Sequence, residues 1–133
     1  MFFDMEQQQS RVKQLAKEII DFKKTNPNLE IENVDVEQCV NDLCVEMFVN
    51  GTRVIFGMED DGHGGYRQTR LHVGDMNFKS DKYINGDVLD FNTCKDALFS
   101  AIRQTPSINN NSEISLETAA KIIKMSPYST VGY

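Results

Sequence analysis

The stretch Leu43-Cys44-Val45-Glu46-Met47-Phe48-Val49-Asn50-Gly51-Thr52-Arg53-Val54-Ile55-Phe56 places an apolar residue at every second position on both sides of Asn50-Gly51. A period of two is the signature of a strand with one buried face. Asn-Gly is the strongest short hairpin signal, because both central positions of a type I′ turn need positive φ. A two-residue loop fixes the register: Val49 faces Thr52, Met47 faces Val54 and Val45 faces Phe56.

Working outward, Val34 to Val40, Leu43 to Val49, Thr52 to Asp60 and Tyr66 to Val73 read as successive strands of an antiparallel meander. Asn41-Asp42 is a second two-residue turn candidate, and it would set Cys39 opposite Cys44 and Glu37 opposite Glu46. The expected core face then holds Val34, Val36, Val40, Leu43, Val45, Met47, Val49, Val54, Phe56 and Met58. Between the third and fourth strands a four-residue loop, Gly62-His63-Gly64-Gly65, turns Thr69, Leu71 and Val73 inward. A five-residue loop would turn Tyr66, Gln68, Arg70 and His72 inward instead. Burial selects the four-residue loop, since exposing Leu71 and Val73 costs about 1.5–3 kcal/mol each.

Helices flank the meander. Val12, Leu15, Ala16, Ile19 and Ile20 form one apolar face of a helix that ends before Pro27, which disfavours helical geometry at Asn26. Its basic residues Arg11, Lys13, Lys17, Lys23 and Lys24 are interleaved with Glu18 and Asp21, the pattern of a solvated helix face. Ile84-Asn85-Gly86-Asp87 suggests a further hairpin with Val88, Leu89 and Phe91 in its second arm. A helix follows, with Thr93 as cap and Cys94, Ala97, Leu98, Ala101 and Ile102 as its stripe. Pro106 and the run Ser107 to Ser112 read as a loop. A last helix starts after Ser115, with Leu116, Ala119, Ala120 and Ile123 on one face, and ends at Ser126-Pro127. The expectation is one α+β domain over residues 1–133. It has an N-terminal helix, a meander of four to six strands, and two C-terminal helices packed on one sheet face.

The chain has 133 residues and a net charge of −6, with 20 acidic and 14 basic side chains. That balance disfavours a nucleic-acid binder held by a basic surface. No apolar run approaches a membrane span, and MFFDMEQQQSR lacks the apolar core of a secretory signal. The three cysteines, Cys39, Cys44 and Cys94, are an odd count without a CxxC motif, which fits free thiols in a reducing cytoplasm. A cross-strand Cys39–Cys44 disulfide is sterically open.

The acid is concentrated. Residues 30–61 carry nine carboxylates against Arg53 alone, a charge of −8, while the remainder carries +2. On the expected outer face stand Asp35, Glu37, Glu46, Phe48, Arg53 and Ile55, with Glu59, Asp60 and Asp61 at the following loop. Opposed like charges destabilise a strand pair, so a facing Glu37 and Glu46 suggest selection for something other than stability. The reading is an acidic docking face with Phe48 as an apolar anchor. Its partner would be a protein with a basic surface or groove, such as a nucleic-acid-binding site. The plain alternative is a solvated face with acid guarding an edge strand.

Other chemistry is thinner. Asp60, Asp61 and His63 group carboxylates and an imidazole within a glycine-rich loop, a candidate divalent-cation or metal-enzyme centre. The spacing matches no EF-hand, zinc or phosphate loop. Cys39, Cys44, His63 and His72 are zinc-type ligands, but the strand assignment does not make them converge. There is no GxSxG elbow, no catalytic residue is assigned, and no cofactor is implied.

Ser115-Leu116-Glu117-Thr118-Ala119-Ala120-Lys121-Ile122-Ile123-Lys124-Met125-Ser126-Pro127-Tyr128-Ser129-Thr130-Val131 resembles the first helix and turn of a helix-turn-helix. The resemblance lies in the Ala-Ala pair, Ile123 and Met125, the serine after the turn and the Thr-Val pair. It implies a DNA-binding or regulatory protein, although Tyr128 to Tyr133 contains no Arg or Lys to hold phosphate. The first expectation is therefore a non-enzymatic inhibitor, antagonist or immunity-type protein. A DNA-binding segment and a metal-dependent enzyme stand as its alternatives.

Overall fold

A computed structural model describes residues 5–39, 42–62, 64–81, 89–110 and 126–127. The helix α1 (Met5–Thr25) leads into strands β1 (Ile31–Cys39), β2 (Asp42–Val49), β3 (Thr52–Asp60), β4 (Tyr66–Val73) and β5 (Met76–Asp81). The helix α2 (Phe91–Asn110) follows, and the two-residue strand β6 (Ser126–Pro127) pairs on the β5 edge. The strands lie in chain order and all pair antiparallel. This is the expected α+β arrangement, with two helices among the described residues. The third expected helix, after Ser115, falls outside them, as do Ile84 to Asp87. No helix among the described residues is long and apolar enough to cross a membrane.

One sheet face carries the core. Leu43, Val45, Met47 and Val49 of β2, Val54, Phe56 and Met58 of β3, and Leu71 and Val73 of β4 are buried. They join Leu15, Ile19 and Phe22 of α1 and Cys94, Leu98, Ala101 and Ile102 of α2 in a single cluster. The second hairpin has the expected register throughout, with Val49 opposite Thr52, Met47 opposite Val54 and Val45 opposite Phe56. At its turn Asn50 and Gly51 have φ of 50° and 81°, the left-handed pair that a type I′ turn requires.

Three features depart from the expectation, each for a local reason. In the first hairpin Cys39 pairs with Asp42 and Glu37 with Cys44, so the turn is displaced and Glu37 does not face Glu46. Asp42 lies within β2, opposite Glu59 of β3. The shift is two positions in partner, so the face assignment of β2 survives. Upstream, a bulge between Glu32 and Asp35 places Asn33 at φ 55°, a conformation asparagine tolerates. The inserted residue turns Ile31 into the core at 0% exposure and leaves Val34 out at 38%. In β4 the pairing of Val73, Leu71 and Thr69 matches the four-residue-loop choice. A second bulge at Arg67 then lets Tyr66 pair with Asp60 and point inward as well.

The helices also differ in detail. The buried face of α1 runs through Gln8, Leu15, Ile19 and Phe22, and Ile20 is 54% exposed. Leu89 bridges to Tyr66, but Phe91 opens α2 rather than extending a strand arm. The cap of α2 is Asp90, not Thr93: its Oδ1 accepts the Thr93 backbone N–H at 2.6 Å. Pro106 does not end α2, which continues to Asn110. Its ring costs one backbone hydrogen bond, but Ala101, Ile102 and Thr105 keep this part of the helix buried on the sheet.

Candidate functional site

Both helices lie on the core face, so the opposite face of the sheet has neither helix over it. On β1 that face presents Asp35, Glu37 and Cys39, and on β2 Asp42, Cys44, Glu46 and Phe48. On β3 it presents Arg53, Ile55 and Glu59, and on β4 Arg70 and His72. Charge therefore grades across the sheet, from acid on β1 and β2 to base on β4.

The displaced first hairpin relocates the like-charge contact rather than removing it. Asp35 is directly opposite Glu46, and Asp42 is directly opposite Glu59. Glu46 and Glu59 are each met by an arginine. Arg53 Nε donates to Glu46 Oε2 at 2.6 Å, and Arg67 Nη2 to Glu59 Oε1 at 2.6 Å. Burial, reinforced by the Glu59 charge, raises the Asp42 carboxyl above its ordinary value, with Arg70 and Arg67 opposing the shift. Asp35 and Glu37 are exposed on the edge strand. Phe48 and Ile55 are half-buried beside them, apolar surface among charges.

The loop acids behave differently from the strand acids. Asp60 is buried at 8% exposure, on the core side. Its Oδ2 accepts Gln8 Nε2 at 2.6 Å and its Oδ1 accepts the Gly62 N–H at 2.6 Å. Asp61 is half-buried and accepts the Gly65 N–H at 3.2 Å. Both carboxylates thus shape the loop from inside. His63 lies outside the described residues, and among those described no three His, Cys, Asp or Glu side chains converge as metal ligands. Gly65 also has a packing reason: a Cβ there would meet the Leu89 carbonyl oxygen at 3.1 Å.

Around Asp60 stands a buried network that periodicity did not reveal. The Tyr66 hydroxyl donates to Gln8 Oε1 at 3.2 Å and accepts from Arg11 Nη1 at 3.0 Å. Arg11 Nη2 reaches the Gly64 carbonyl at 3.1 Å, and the guanidinium lies over the Tyr66 and Phe91 rings. Burial pushes the Tyr66 hydroxyl pKa up, against the neighbouring Arg11 and Gln8. The one sequence signal was Gln8, which lies four residues before Val12 on the apolar stripe of α1.

The thiols are free. Cys39 Sγ lies 3.5 Å from Glu37 Oε1, and burial raises the pKa of Cys39. Burial, aided by Cys39, pushes Cys44 up to about 12, and burial with the Asp90 charge does the same for Cys94, against Arg11. None is an activated nucleophile. His72 is lowered from its ordinary value by burial. Of the helix-turn-helix-like stretch, only Ser126 and Pro127 are among the described residues, and they pair with Lys79 and Phe78 of β5. Comparison with protein-family models, curated proteins and solved structures finds no match to this chain.

Proposed function

We propose that this is a non-enzymatic acidic binding protein of the inhibitor, antagonist or immunity type. It occludes a basic site on a partner protein through the outer face of β1, β2 and β3. The observation that carries the reading is the pairing of Asp35 with Glu46 and of Asp42 with Glu59, beside half-buried Phe48 and Ile55, on a face neither helix covers. A sheet optimised only for stability would alternate signs at these positions. A partner lysine or arginine relieves the repulsion on binding, so the interaction energy is larger in the complex than in the free protein.

The contact set is Asp35, Glu37, Glu46, Phe48, Ile55 and Glu59. Arg53 and Arg67 orient the Glu46 and Glu59 carboxylates, and Asp60 and Asp61 hold the adjoining loop. Phe48 fills an apolar notch, the role aromatic anchors commonly play at interface centres. The setting is the cytoplasm, where free thiols persist, and the partner's site is one built for phosphate or nucleic acid.

The test is capture from host lysate on immobilised protein, with wild type beside Asp35→Lys/Glu37→Lys. The captured protein is then purified and titrated against both forms. The expected result is a basic partner whose affinity falls at least about tenfold in the variant and falls steeply with salt. A partner bound equally by both forms, or insensitive to salt, overturns the reading.

A further inference from the structure

Cys39 of β1 and Cys44 of β2 stand on the outer sheet face in a square of four side chains. Glu37 is opposite Cys44 and Cys39 is opposite Asp42, so the two cysteines are diagonal neighbours. Their thiols touch: Cys44 donates a hydrogen bond to Cys39 Sγ, and Cys39 Sγ donates to Glu37 Oε1 at 3.5 Å. Both residues are partly exposed, whereas Cys94 is buried at 1% exposure on the core side. A free cysteine that only packs is ordinarily buried, and reactivity is the usual reason for one elsewhere.

Contact between the sulfurs is one step short of a bond. Diagonal Cα atoms on an antiparallel pair lie about 7–8 Å apart, and a disulfide needs about 7 Å or less. A small slide of β1 along β2 closes that gap. β1 is the edge strand, paired on one side only, and its pairing is already irregular between Glu32 and Asp35.

We propose that Cys39 and Cys44 are a reversible redox pair, which closes to an intramolecular disulfide with a low-molecular-weight disulfide such as oxidised glutathione as the oxidant. Cys39 gives its proton to solvent and its sulfur attacks one sulfur of the oxidant. That S–S bond breaks, and one glutathione leaves as a thiolate and takes up a proton. Cys44, losing its own proton, then attacks Cys39 Sγ in the mixed disulfide, and the second glutathione leaves. The protein gives up two electrons and two protons, and the oxidant becomes two molecules of reduced glutathione. Cys39 attacks first, because burial holds Cys44 in its protonated form. Proximity, not an activated thiol, favours the closed form, and in a reducing cytoplasm that form is transient. The link lies within the acidic face, beside Glu37 and Asp42, but its chemistry needs no partner, so either proposal can fail without the other.

The experiment equilibrates full-length native protein in a series of reduced and oxidised glutathione buffers, quenches with acid, and counts thiols by alkylation and intact mass. Free thiols fall from three to one, the mass falls by two hydrogens, and cleavage before Asp42 leaves the two halves joined until a reductant is added. Excess reduced glutathione restores all three thiols. At equal buffer composition the ratio of disulfide to dithiol is at least about tenfold higher in native protein than in concentrated urea, a difference of about 30 mV. Cys44→Ala, on the face away from the core, stops at a glutathione adduct on Cys39, and Cys39→Ala leaves Cys44 unmodified. Glutathione adducts on wild type without an internal link, a native link to Cys94, or a native ratio no higher than in urea would each overturn the proposal. So would three free thiols across the whole buffer series.

Discussion

Asp35→Lys should stabilise the folded protein while destroying its binding. Asp35 is exposed on the edge strand and faces Glu46 across the β1–β2 ladder, and Glu46 is already shared with Arg53 on its other side. Opposed like charges cost a few tenths to about 1 kcal/mol, and an opposed pair returns a similar amount. Because the Glu46 side chain is 39% exposed, solvent screening keeps the net gain to roughly 0.5–1 kcal/mol. Unfolding entropy near 2.1 cal/mol/K per residue gives ~280 cal/mol/K for a chain of this length, so Tm rises by about 2–4 °C. The assay is thermal unfolding at low salt and again in 1 M NaCl, where the Debye length falls to about 3 Å and the gain should vanish. Glu32→Lys is the control: it changes net charge equally, but Glu32 faces Phe48 rather than a carboxylate. If Asp35→Lys is no more stable than Glu32→Lys, or if its gain survives 1 M salt, the facing pair is not strained. The central argument for the docking face then fails.

Three further outcomes test the architecture. Tyr66→Phe removes the hydroxyl that joins Gln8 to Arg11 and leaves a buried Gln8 oxygen without its donor, so denaturant unfolding should show a loss of about 1–3 kcal/mol. Asp90→Ala removes the cap of α2 and should cost about 1 kcal/mol at neutral pH. Hydrogen bonds from the Thr93 backbone and hydroxyl hold the Asp90 carboxyl below its ordinary value. The stabilisation is therefore complete above the unfolded value near 4 and is lost as pH falls through the folded value, and stability of wild type and variant should converge there. Thiol labelling of native protein near pH 8 should modify Cys39 first. Cys44, raised to about 12, should react more slowly, buried Cys94 should react only on unfolding, and equal rates for all three would contradict the packing.

What was legible in the sequence depended on how local its cause was. The second hairpin follows from Asn50-Gly51 and a strict period of two, both confined to a short stretch, and its register holds at every pair. Leu71 and Val73 were placed correctly by a burial argument comparing two registers of one strand. The stripe of α2 was equally clear, because Cys94, Leu98, Ala101 and Ile102 recur at helical spacing. The acidity of the first hairpins was visible as composition, although the facing partners were not.

The sequence by itself determined the helix and meander, the core face of the central strands and the concentration of acid on β1 and β2. Only the tertiary structure decided the exceptions to periodicity. Asn33 and Arg67 mark bulges, and a bulge reverses every side chain before it. Which residue wins the interior there depends on distant partners. Ile31 gains the core shared with α1, and Tyr66 gains Gln8 and Arg11, 58 and 55 positions away. Asp60 follows the period of β3 onto the core side, where only the fold supplies its partner Gln8, 52 positions away. The spacing of α1 and α2 on the sheet is likewise a matter of packing. No window of sequence encodes that spacing, because it is set by side chains from both helices and the strand beneath them.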